Sequence, residues 1–114
     1  MARVLMLLAS GPGQPEGDLS YRMELTAALT PLAALDEAAF DRAPWPVLRV
    51  LPSGRELHSE LVRAGAGWAL RGPAGEDAPL WAFEGRVFRP GAYVMLRRPD
   101  GDEFLFRIVD VRAD

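Results

Sequence analysis

Apolar and polar positions alternate along much of this chain. Tyr21, Met23, Leu25, Ala27 and Leu29 alternate with Arg22, Glu24, Thr26 and Ala28. A repeat of two belongs to a strand with one buried face. Val4 to Ala9 is instead apolar on both faces, as a central strand is. Between these segments Gly11 to Asp18 carries Pro12, Pro15, Gly13 and Gly17, which predicts a loop.

Strand patterning resumes at Val47 to Leu51, and Pro52-Ser53-Gly54 turns the chain. On the return Leu57, Ser59 and Leu61 alternate with Glu56, His58 and Glu60. Ala64-Gly65-Ala66-Gly67 turns again into Trp68 to Arg71, and Gly72 to Pro79 reads as a second polar loop. Leu80 to Phe83 and Arg86 to Phe88 are either a further strand pair or one strand with a bulge at Gly85.

The sharpest local signal is the last hairpin. Tyr93 to Arg98 runs into Pro99-Asp100-Gly101, and Phe104 to Val109 runs out. Proline presets the first corner of a type I turn, and glycine takes the left-handed position after it. That chemistry fits a three-residue loop with a bulge at Gly101. The register it sets places Arg97 opposite Glu103, Leu96 opposite Phe104 and Val94 opposite Phe106. The charges and the apolar pairs match in that register.

Pro31 to Ala43 is the helical candidate, opened by Thr30-Pro31. Asp36 alternatively caps a shorter helix, Glu37 to Arg42, whose acidic first turn suits the helix dipole. Pro44 and Pro46 end either one. Together the segments predict a mainly β fold. It is a small antiparallel barrel or a two-layer sandwich of about eight short strands, with one short helix. At 114 residues the chain is expected to be a single domain, 1–114.

Composition narrows the chemistry. Cysteine is absent, so disulfides and thiolate metal sites are excluded. All 13 basic residues are arginine, lysine and asparagine are missing, and Ile108 is the sole isoleucine. The absent types use AT-rich codons, which points to a GC-rich bacterial genome and weakens arguments from arginine specificity. The net charge is −3 and sits in residues 1–45, with three arginines against six carboxylates. No basic stripe emerges, which disfavours nucleic acid as a partner. The opening apolar run is shorter than a secretory core, and no run reaches membrane-spanning length. A cytoplasmic protein without membrane contact is expected.

Four places invite a chemical reading. Gly11-Pro12-Gly13-Gln14-Pro15-Glu16-Gly17 superficially resembles a phosphate-binding loop. Two prolines remove N–H donors and a strand follows, so a plain surface loop is the expectation. His58, the single histidine, lies beside Glu56 and Glu60 on a polar face, where a solvated role outweighs a catalytic or zinc-binding one. Glu76-Asp77 and Asp100-Gly101-Asp102-Glu103 lack the spacing of a calcium loop. Trp68 to Arg89 concentrates aromatics and arginines. If Leu80 and Ala82 face the core, Trp81 is free to anchor a partner together with Arg71 and Arg86. The competing reading buries the tryptophans.

The function expected is a non-enzymatic binding or protein-interaction module, with Trp81, Arg71 and Arg86 as its binding residues and no metal or cofactor. Its partner is another protein or a second copy of the chain. Two alternatives are a small carboxylate-based hydrolase or isomerase in a barrel mouth, and a single-stranded nucleic-acid binder.

Overall fold

The computed structural model of the chain describes residues 1–40, 44–72 and 80–113. Its strands are β1 (Ala2–Ser10), β2 (Asp18–Ala27), β3 (Trp45–Val50), β4 (Glu56–Ala64), β5 (Gly67–Arg71), β6 (Trp81–Glu84), β7 (Tyr93–Arg97) and β8 (Glu103–Ala113). Each pairs antiparallel with the next, and β8 pairs back onto β1, so the sheet is a closed barrel rather than a sandwich. Closure removes exposed sheet edges.

Alternation fills the inside. Val4, Met6 and Leu8 of β1 meet Met23 and Leu25 of β2, Leu61 of β4, Leu96 of β7, and Phe106 and Ile108 of β8 in one buried cluster. The central strand expected at Val4 to Ala9 is β1, flanked by β2 and β8. Its outer residues Leu5, Leu7 and Ala9 have no second layer over them among the described residues and remain half-buried. The final hairpin has the anticipated register, Arg97 to Glu103, Leu96 to Phe104 and Val94 to Phe106. Gly101 stands at φ +100°, where its N–H donates to the Arg98 carbonyl at 2.9 Å.

The two ends differ. At one, the segment between β2 and β3 folds across the opening. It is not the helix anticipated over Pro31 to Ala43. Ala33 adopts φ +62°, and among the described residues of the segment only a single 3-10 turn forms, Glu37–Ala39, capped by Asp36. Residues 41–43 of the longer helical candidate, and 41–42 of the shorter, lie outside the described residues. Leu35 is buried there, and Leu29 bridges to it instead of extending β2. The Arg86 to Phe88 segment is also not a strand. Phe88 turns inward, 1% exposed, and its N–H donates to the Ala33 carbonyl at 2.7 Å. Beside this plug Trp45 stacks on Trp68, and Phe40 meets both rings edge-on. Arg63 covers the Trp68 ring at 4.7 Å, and its Nη1 lies 2.6 Å from Glu37 Oε1. That contact is an ion pair whose angles do not make a hydrogen bond.

The glycine-rich segment Gly11 to Asp18 connects β1 to β2 and leads into a strand. Gly17, at φ +80°, leaves no room for a Cβ against the Leu8 carbonyl. Its glycine serves a tight connection.

Candidate site at the Arg49 end of the barrel

The opposite end holds the densest unusual chemistry. Trp45, Val47 and Arg49 alternate inward along β3, and Arg49 stands opposite Met23 of β2 and Leu57 of β4. The period of two therefore drives a guanidinium into the barrel, where it is 5% exposed. Arginine cannot lose its proton to escape the cost of burial. Among the described residues Arg49 joins no ion pair, and its Nε has no hydrogen-bond partner.

Aromatic rings take part of the load. The Arg49 Cζ lies 4.7 Å from the Trp81 ring centroid, and the Arg98 Cζ lies 5.5 Å from it. Trp81 also stacks on Phe104 at 5.9 Å, and Phe104 meets Tyr21 at 6.3 Å. Cation–π contact offsets a fraction of desolvation, about 0.5–2 kcal/mol, and supplies no counter-charge. Arg98 differs from Arg49 in this respect. Asp100 and Asp102 each approach it at 3.7 Å.

Trp81, Arg71 and Arg86 occupy three separate places. Trp81 points to the interior opposite Leu70, and Phe83 on the same face is 2% exposed. The expectation that the Leu80 and Ala82 face fills the core is thus reversed, and Leu80 is exposed. Ring closure decides this, because only the face toward the barrel axis finds other side chains to bury against. Arg71 lies on the outer wall, where its Nη2 meets Glu60 Oε1 at 2.9 Å. Arg86 follows the far end of β6 and is exposed.

Arg71 borders a cavity of about 610 Å³ on the outer wall, with His58, Glu24 and Glu60. This cavity opens where the β2–β3 ladder ends at Leu25 and Val47, since Pro46 brings no N–H to continue it. Its lining is mixed in charge, and Arg71 already has a carboxylate. We place the candidate site at Arg49, despite the size of the outer cavity, because only there is a buried charge left without an ion-pair partner among the described residues.

Asp100 and Asp102 thus serve Arg98, while Glu76 and Asp77 lie outside the described residues. No group of three histidine, aspartate or glutamate side chains among the described residues is arranged to hold a metal ion. The sequence signal for Arg49 is its strand face, which it shares with Val47 and Leu51. The class defined by fold and site is a closed eight-stranded antiparallel barrel, filled inside, with a cation–aromatic cluster at one end. No protein-family model, curated protein or solved structure matches the chain. No described helix is long and apolar enough to cross a membrane.

Proposed function

We propose that this chain is a non-enzymatic binding module that takes a small monocarboxylate at the Arg49 end of the barrel. The observation that supports this most is the buried Arg49 guanidinium without an acidic partner among the described residues. A buried cation is costly unless paired, and a ligand carboxylate pairs with a guanidinium fork through two parallel hydrogen bonds. A single guanidinium is left without a direct carboxylate partner among the described residues, because Asp100 and Asp102 both lie at Arg98. That favours a monoanion over a phosphate dianion. Tyr21, Leu57, Trp81 and Phe104 surround the position with apolar surface, which suits a carboxylate on a small apolar body. The larger core side chains are fully buried, so the ligand seats at the end and not along the barrel axis.

Nitrogen–proton NMR of the arginine side chains tests the proposal. Benzoate should shift the Arg49 Nε–H resonance saturably, with acetate weaker and inorganic phosphate weaker still. Arg49→Met should abolish tight benzoate binding while the barrel stays folded. A linear, non-saturating response to every anion would sink the proposal.

A further inference from the structure

The outer wall around β1 carries a pattern that has no role inside one barrel. Directly opposed residues of antiparallel strands point to the same face. Leu7 lies between Arg22 of β2 and Arg107 of β8. Leu5, one pleat away, lies between Glu24 of β2 and Asp110 of β8. The outer wall therefore bears a cationic row, Arg22-Leu7-Arg107, next to an anionic row, Glu24-Leu5-Asp110. The β1–β8 register shift puts Asp110 in that second row, because Leu5 faces Asp110 while Met6 faces Ile108. Arg22, Glu24 and Arg107 join no ion pair among the described residues.

We propose that this wall is the interface of a two-fold symmetric dimer, and that the occupant is a second copy of this chain. A face-to-face dimer has its two-fold axis in the plane of contact. An axis lying along β1 sets Arg22 against Arg107 of the second copy, and Glu24 against Asp110, which repels. An axis running across the strands, between the two rows, does the opposite. It lays the cationic row of each copy on the anionic row of the other. Arg22 then meets Glu24, Arg107 meets Asp110, and Leu7 covers Leu5, each contact occurring twice. The β1 strands of the two copies run antiparallel in that arrangement. Arg112 holds Asp110 through Oδ2 at 2.7 Å, and a carboxylate has a second oxygen to offer Arg107. The neighbouring row of Arg3, Thr26 and Arg112 comes opposite the row of Ala9, so no further like charges meet. Exposed Tyr93, opposite Arg107 on β7, extends the contact.

The pattern also accounts for the apolar outer side of β1. Leu5 and Leu7 sit on a wall with no second layer among the described residues, ringed by charges that fit their own two-fold copy. Complementary charge supplies orientation as well as affinity.

Sedimentation equilibrium across a wide concentration range tests the proposal, with charge reversal as the probe. The unaltered chain should dimerise, and more weakly as salt rises. The pair Arg22→Glu and Arg107→Glu should be monomeric, and so should the pair Glu24→Arg and Asp110→Arg. Mixed together, the two monomeric variants should form a heterodimer. All four side chains point outward, and circular dichroism checks that each variant is folded. If a double variant fails to fold, the single changes Arg22→Glu and Glu24→Arg carry the same comparison. An unaltered chain that stays monomeric at millimolar concentration overturns the proposal. Reversed variants that still self-associate, or a mixture that does not associate, overturn it equally.

Discussion

Replacing Arg49 by methionine should make the barrel more stable. Methionine keeps the unbranched length of the side chain and can rest its thioether against the Trp81 ring. The lost cation–π contact with Trp81 is worth about 0.5–2 kcal/mol. A sulfur–aromatic contact returns about 0.3–1.5 kcal/mol of it. Against that stands the relief of burying a charge at 5% exposure with no acidic partner among the described residues. The effective penalty of a buried ion is several kcal/mol, and replacing even a buried ion pair by apolar groups of similar volume is often neutral or stabilising by about 1–4 kcal/mol. A net gain of about 1–3 kcal/mol follows from these terms. For a chain of 114 residues, an unfolding entropy of about 2.1 cal/mol/K per residue converts each kcal/mol into roughly 4 °C. The melting temperature should therefore rise by about 4–12 °C. Urea denaturation measures the free energy directly. Arg49→Lys keeps the charge and should give no such gain. Destabilisation of Arg49→Met by more than about 1 kcal/mol would show that the guanidinium is already satisfied, and would refute the reasoning.

Four further outcomes follow from the packing and titration of the barrel. Phe106→Ala should cost about 3–5 kcal/mol, since that ring is fully buried, and Gly101→Val about 1–2 kcal/mol, since a β-branched residue resists φ +100°; denaturant midpoints check both. Gly85→Ala should destabilise by about 1–3 kcal/mol, because a Cβ there would lie 2.9 Å from Phe88 Cζ and 3.1 Å from Val94 Cγ2, both fixed in the core. The Asp18 carboxylate accepts hydrogen bonds from the Ser20 hydroxyl and backbone N–H, which hold its pKa below the usual value. Its stabilising effect should be complete above the ordinary carboxylate pKa and fade as pH falls through the lowered one. Carbon NMR titration should show Ser20→Ala moving that pKa back up, and an unmoved value would assign the shift elsewhere.

The parts of this fold that the sequence makes legible are those fixed by nearby residues. The last hairpin reads correctly because Pro99-Asp100-Gly101 sets the turn, and the turn sets the register of Arg97 with Glu103. The segment after Thr30 misleads because its Leu and Ala content favours a helix while its structural role is to cross the barrel end. There Ala33 takes a left-handed conformation, Leu35 is buried, and Phe88 bonds back to the Ala33 carbonyl. Phe88 misleads likewise: three apparent strand residues belong to a plug. Alternation separates Trp81 from Leu80 but does not say which faces inward, and ring closure decides that. Arg49 was within reach, since its face is set by Val47 and Leu51. The charge rows around Leu5 and Leu7 were not, because they join residues from β1, β2 and β8 through a bulged register.

Ligand-dependent melting tests the central claim most directly. A ligand that binds only the native state raises the melting temperature in proportion to the logarithm of its concentration once bound sites dominate. Benzoate should raise the melting temperature of the unaltered chain in that way and leave Arg49→Met, already more stable without ligand, unmoved. Equal shifts in the two proteins, or no shift in either, would contradict a carboxylate site built on Arg49.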